Sequence, residues 1–369
     1  MNKQCKEYRR VMLASLSLSL LILILLSLYL KIRHDYQPVG RIIFRLPTRT
    51  QLPGRHDLII ADGNLNQPQI LTQITGPPSF STDGKFIAAG CQLPDKICIY
   101  DVAAFDDFTK FPGDPLPGHA LVSEIVLPEA CTAFPQDENH EYDELRSISW
   151  SPDMDRLVIV CNGSPSTNAL VCILNLIEKS SQCWDHLMGE VSSAQWSPVD
   201  ESIVFDTIDS ASNREIYIVG SSGLNAEYLT KGWSPEWSPD GKEIAFFKFD
   251  VDASFNEMGT LLTEGKEEGS HIYPGIAKIK VDGSEEEWVF RAPPYIKGYD
   301  FYSTIWPEKC RGINQCRLAW SPEGRFIAFS AEYPFGYSWH IYRVDVKTGE
   351  INILSSNISW DYSYPDWGP

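Results

Sequence analysis

Ser234-Pro235-Glu236-Trp237-Ser238-Pro239-Asp240-Gly241-Lys242-Glu243-Ile244-Ala245-Phe246-Phe247 reads as a short strand ending on Trp237, a tight turn and a second strand. Ser-Pro-Asp-Gly is turn chemistry. Proline holds φ near about −65°, aspartate bonds its own backbone, and glycine takes the positive φ that closes the reversal. Ile244, Ala245 and Phe246 then form an apolar run of strand length.

The stretch recurs. Ser147 to Cys161 reads SISWSPDMDRLVIVC, Ser193 to Asp206 SAQWSPVDESIVFD, and Leu318 to Ser330 LAWSPEGRFIAFS. Ser79 to Gly90 reads SFSTDGKFIAAG, with Phe80 in the Trp place, and Tyr364 to Pro369 begin a sixth copy. A second hairpin follows each copy: KICIYDV from Lys96, ALVCILN from Ala169, EIYIVG from Glu215, GIAKIKV from Gly275 and HIYRVDV from His340. Each unit is thus four strands, and four-stranded units repeating every 40 to 50 residues or so are the signature of propeller blades.

Trp150 to Trp196 is 46 residues, Trp196 to Trp237 is 41 and Trp320 to Trp367 is 47. The longer intervals, 70 from Phe80 to Trp150 and 83 from Trp237 to Trp320, hold one second hairpin each, so they are single blades with insertions. That makes five blades within the chain and one split blade. Ile42 to Phe44, Leu58 to Ala61 and Gln69 to Thr72 supply three strands of the split blade, and Tyr364 to Gly368 supplies the innermost. The expected fold is therefore all-β: a six-bladed propeller of four-stranded blades over residues 40–369, closed by the C-terminal strand, which removes open sheet edges.

The W-S-P-D-G-K-x-I-A-F pattern with its following I-Y-x-x-D hairpin resembles the TolB-like, WD-repeat-like β-propeller repeat, and the resemblance covers about residues 40 to 369. It implies a scaffold that recognises a protein or peptide at the cell envelope. Relatives of prolyl oligopeptidase share the repeat, but the chain has no G-x-S-x-G elbow, and six blades leave no room for a hydrolase domain. No enzymatic activity is expected.

Val11 to Leu30 carries no charge over 20 residues, enough for a helix of roughly 30 Å, about one hydrocarbon core. Lys3, Lys6, Arg9 and Arg10 precede it, so residues 1–10 are expected to be a cytoplasmic tail, 11–30 an uncleaved transmembrane anchor and 31–39 a tether to an extracytoplasmic propeller. No small-residue cleavage pattern follows Leu30. Net charge of −18 argues against a nucleic-acid partner.

Beyond Cys5 there are eight cysteines, as expected of an exported disulfide-bonded domain. Cys91 with Cys98, and Cys161 with Cys172, flank strand turns within one blade; Cys310 and Cys316 close a small loop, which leaves Cys131 and Cys183 to each other.

Trp150, Trp196, Trp237, Trp320 and Trp367 occupy one repeat position and are expected to pack between blades. Function is expected on the face opposite the Ser-Pro-Asp-Gly turns, where the insertions emerge. Tyr299, Tyr302, Trp306, Tyr333, Tyr337, Trp339, Trp360 and Tyr362 form an aromatic set suited to a peptide, or alternatively to a glycan to be bound or processed. No cofactor is expected. Asp250, Asp252 and Glu257 alternate oxygen ligands as a structural Ca²⁺ loop does, but without the glycine and distal glutamate of an EF-hand.

Overall fold

The structure, a computed structural model, describes residues 38–47, 55–91, 95–105, 120–132, 145–162, 169–184, 189–209, 213–249, 254–255, 261–262, 274–291, 317–332, 339–355 and 362–369. Val39–Pro369 form one compact unit. The proposed tail and anchor, and the tether up to residue 37, lie outside the described residues. Among those described, no helix is long and apolar enough to cross a membrane.

The first strands are β1 (Arg41–Pro47), β2 (His56–Asp62), β3 (Gln69–Phe80), β4 (Phe86–Gly90), β5 (Lys96–Asp101) and β6 (Leu121–Val126). Next come β7 (Leu145–Trp150), β8 (Arg156–Cys161), β9 (Leu170–Asn175) and β10 (Ser180–Trp184). Then follow β11 (Glu190–Trp196), β12 (Ser202–Ile208), β13 (Arg214–Gly220) and β14 (Glu227–Lys231). The fifth repeat gives β15 (Trp233–Trp237), β16 (Glu243–Phe249), the short pair β17 (Ser254–Phe255) and β18 (Leu261–Leu262), β19 (Pro274–Lys280) and β20 (Glu287–Arg291). The last strands are β21 (Leu318–Trp320), β22 (Phe326–Glu332), β23 (Trp339–Asp345), β24 (Ile351–Ile353) and β25 (Ser363–Gly368).

Six separate four-stranded sheets were expected. The structure has four, β7–β10, β11–β14, β15-β16-β19-β20 and β21–β24, beside a seven-stranded sheet ordered β25-β1-β2-β3-β4-β5-β6. The merger comes from β3, which runs twelve residues. Its first half pairs with β2, and Thr75 to Phe80 pair with β4. Gly76 bends it there at φ 72°, and Thr75 lies so close to Gly90 that a Cβ on Gly90 would sit 1.9 Å from the Thr75 carbonyl oxygen.

The innermost strands β25, β3, β7, β11, β15 and β21 touch one another in a closed cycle. Closure runs through β25, which pairs Trp367 with Ile42 and Gly368 with Arg41. The repeat's turn chemistry is as its residues dictate. Ser238 N–H donates to the Glu243 carbonyl at 2.8 Å, Gly241 N–H to the Ser238 carbonyl at 2.9 Å, and Asp240 accepts the Ser238 hydroxyl at 2.8 Å.

The core lies between neighbouring sheets. All five repeat tryptophans are at most 6% exposed, and each packs on the preceding sheet: Trp150 on Ala88 and Ile97, Trp237 on Val204 and Ile216, Trp320 on Ala245 and Phe247. Two of the indoles also stitch the ring. Trp150 Nε1 donates to the Ser79 carbonyl at 3.2 Å and Trp237 Nε1 to the Gln195 carbonyl at 3.1 Å.

Cys91–Cys98 forms as expected. The other two disulfides correct the sequence pairing: they are Cys131–Cys161 and Cys172–Cys183. Register is the reason. Across β8 and β9, Cys161 stands opposite Leu170 and Cys172 opposite Ile159, so the two cysteines are offset by two residues. Across β9 and β10, Cys172 stands directly opposite Cys183. Cys310 and Cys316 lie outside the described residues.

Candidate functional site: a charged cluster on the ring axis

The residue immediately before the repeat aromatic is polar in five copies: Ser79, Ser149, Gln195, Glu236 and Asp366; Ala319 is the exception. On an innermost strand this side chain points away from the tryptophan, towards the following blade, since successive side chains alternate in direction. There it meets backbone. Ser149 Oγ accepts the Trp196 N–H at 2.9 Å, and Asp366 Oδ2 accepts the Phe80 N–H at 2.5 Å.

Three or four residues before the aromatic, the inner strands are irregular. Register shifts fall between Thr75 and Ser79, Leu145 and Ser147, Val191 and Ala194, and Trp233 and Glu236. Ser234 and Tyr364 adopt positive φ, 49° and 53°, in the left-handed region that costs a residue with a Cβ about 1–2 kcal/mol. Bulges and strained backbone of this kind gather at functional sites. They lie at the ends of the strands away from the Ser-Pro-Asp-Gly turns.

Here charged side chains converge. Asp206, fully buried on β12, ties two inner strands together. It accepts the Ser192 hydroxyl at 2.6 Å, the Ser193 N–H at 2.7 Å and the Ser234 N–H at 3.0 Å. Arg146 donates to Glu190 at 2.6 Å and to Asn162 at 2.6 Å. Arg317, just ahead of β21, donates to the carbonyl of Arg146, at the start of β7, and lies over the Tyr364 ring at 5.7 Å. Arg45 covers the same ring at 4.3 Å. A side chain from the last repeat unit thus reaches the backbone of a unit 171 residues earlier.

Two carboxyls complete the cluster, Glu236 and Asp366, both only partly covered. Burial pushes Glu236 well above the usual carboxylate range; Asp366 adds to the rise and Arg317 opposes it. Burial also raises Asp366, against the pull of the N–H groups of Phe80 and Trp367 and of the Arg317 guanidinium. Burial lowers Arg317, offset by Tyr364, Glu236, Asp366 and Asp206. Glu236 has no hydrogen-bond partner among the described residues, whereas Asp206, Asp366 and Arg317 each bond backbone groups.

Of the aromatic set, Trp339 and Tyr362 are described. They are 6% and 8% exposed and adjacent: Tyr362 N–H donates to the Trp339 carbonyl at 2.9 Å, and its ring lies 5.6 Å from Phe44. Trp339 packs with Trp233 and Phe329. Tyr299, Tyr302, Trp306, Tyr333, Tyr337 and Trp360 lie outside the described residues, as do Asp250, Asp252 and Glu257. Among the described residues, Cys131, Cys161 and Cys172, and Cys91, Cys98 and Glu124, bring metal-capable atoms within 4.8 Å, but all these sulfurs are in disulfides.

A closed cycle of six inner strands, carried by antiparallel sheets and packed through the repeat aromatics, defines a β-propeller-like fold. It is TolB-like: TolB from Acinetobacter baumannii superposes with a TM-score of 0.59 at 15% identity, over 89% of this chain and 67% of that one. A TolB-type protein from Agrobacterium tumefaciens gives 0.51 at 15% identity, over 90% of this chain and 99% of that one. At such identity the likeness is one of fold. No protein-family profile and no curated protein matches the chain.

Proposed function

We propose that this chain is a non-catalytic binding propeller of the cell envelope that takes a protein or peptide partner at the bulged end of its axis. The reading treats the seven-stranded sheet as two blades sharing β3, hence six in all. The observation that carries it is the division of labour in the axial cluster. Asp206, Asp366 and Arg317 are committed to backbone groups. Glu236 faces the same space without a side-chain hydrogen-bond partner among the described residues. A carboxyl whose proton affinity is raised in the fold can both donate and accept, which suits the backbone of an incoming peptide. Three disulfides support a place outside the cytoplasm. An uncleaved anchor at residues 11–30 holds the propeller there, its support being the uncharged run and its basic flank.

One observation favours the carbohydrate alternative: a raised carboxyl beside a second carboxyl also suits acid–base work on a glycan. One comparison separates the two readings. Oxidised residues 36–369 and the Glu236→Gln variant are used in an affinity pull-down and on a glycan array. A protein partner whose capture weakens in the variant supports the binding scaffold. Glycan binding, or turnover of a glycan that is lost in the variant, refutes it. A mature N-terminus beyond residue 31 contradicts the anchor.

A further inference from the structure

We propose that Cys131, Cys161, Cys172 and Cys183 form a thiol–disulfide exchange relay: an external thiol enters at Cys183, and the buried disulfide opens through Cys172. The two disulfides are stacked. The Cys131 and Cys172 sulfurs are 4.0 Å apart, and Cys161 lies within 4.8 Å of both. Accessibility is graded. Cys183, on the outermost strand β10, is half-buried, whereas Cys131, Cys161 and Cys172 are 1%, 0% and 0% exposed. The Cys131–Cys161 disulfide therefore offers no sulfur to a reagent from solution, while Cys172–Cys183 offers one.

The chemistry balances without an oxidant. A low-molecular-weight thiolate attacks Cys183 Sγ, forms a mixed disulfide there and expels Cys172 as thiolate. The Cys172 thiolate attacks Cys131 Sγ, the Cys131–Cys172 bond forms, and Cys161 leaves as thiolate and takes up a proton. One disulfide is made for each one broken, and the thiol equivalent moves from solution to Cys161. The exchange also shifts the attachment of Cys131 from β8 to β9, one strand spacing of about 4.8 Å. Among the described residues, Cys91–Cys98 has the Glu124 carboxylate and no third sulfur beside it, and serves as an internal control.

The test treats the oxidised full chain with substoichiometric reduced glutathione, quenches with iodoacetamide, and maps linkages by peptide mass spectrometry. The expected products are glutathionylated Cys183, a Cys131–Cys172 cross-link and alkylated Cys161, with Cys91–Cys98 intact. Cys183→Ser is expected to reach the same cross-link with no added thiol. Alkylated Cys172 beside an intact Cys131–Cys161, in either protein, overturns the relay. So does a Cys172→Ser/Cys183→Ser double variant whose inner disulfide is reduced as fast as in the parent. If Cys183→Ser fails to fold, the trapping of the unsubstituted chain decides alone.

Discussion

Removing the Asp206 carboxylate should loosen two inner strands at once. Its oxygens accept two backbone N–H groups, from Ser193 and Ser234, and the Ser192 hydroxyl. In Asp206→Ala the hydroxyl can rotate to another acceptor, but the N–H groups cannot. A stranded buried donor costs about 1–3 kcal/mol. Ser193 N–H is buried and Ser234 N–H partly so, which places the combined loss at about 2–4 kcal/mol. Against a total stability of about 5–15 kcal/mol that is a large fraction. Asp206→Asn keeps one carbonyl acceptor and should lose about half as much. The assay is urea unfolding of the oxidised protein. With a slope of about 3 kcal/mol/M, the alanine variant should unfold roughly 1 M earlier at unchanged slope. An alanine variant within about 0.5 kcal/mol of the parent would refute the role assigned to Asp206.

Further outcomes follow from other residues. Glu236 titrates higher in the fold than in the unfolded chain, so its protonated form is favoured by folding: that contribution is complete below the unfolded value and is lost as pH rises through the raised one. Glu236→Gln should therefore flatten any decline in melting temperature as pH rises above the ordinary glutamate range, and an unchanged slope would count against the raised carboxyl. Trp237→Phe forfeits the bond to the Gln195 carbonyl, whereas Trp320→Phe forfeits none, since Trp320 Nε1 is buried without a partner among the described residues. Trp237→Phe should thus be the more destabilising by about 1 kcal/mol in chemical unfolding, and equal losses would contradict the stitching role. Gly90→Ala would drive a Cβ into the Thr75 carbonyl, which is backbone and cannot swing aside. The expected loss is about 1–3 kcal/mol, and a neutral calorimetric result would mean that β3 and β4 separate freely.

Much of the fold was legible because the repeat carries its own punctuation: an aromatic at a strand end, then Ser-Pro-Asp-Gly. What misled was β3. Gly76, Pro77 and Pro78 look like a break, yet the strand continues through them. The prolines fall in the register shift between Thr75 and Ser79, where neither is paired with β4. The disulfide pairing depended on a two-residue offset between Cys161 and Cys172, which proximity in the sequence does not reveal. The axial cluster had a visible signal in the polar residue preceding five of the six repeat aromatics. Read one repeat at a time, Glu236 and Asp366 look like solvated acids beside a turn. Only the ring sets them beside Arg317, a residue between them in sequence but in neither repeat. The aromatic insertions are conspicuous instead, because composition shows in a sequence and convergence does not.

The place where the chain joins its fold has a mechanical consequence. Residue 38 leads directly into β1, which is hydrogen-bonded on both sides, to β25 and to β2. Any tension arriving along the preceding segment loads both ladders in shear, so many hydrogen bonds must yield together. An edge strand pulled from its outer side would instead unzip one bond at a time. Because β2 continues through β3 into β4, the load is shared across seven strands, and the seam that closes the ring lies inside its broadest sheet.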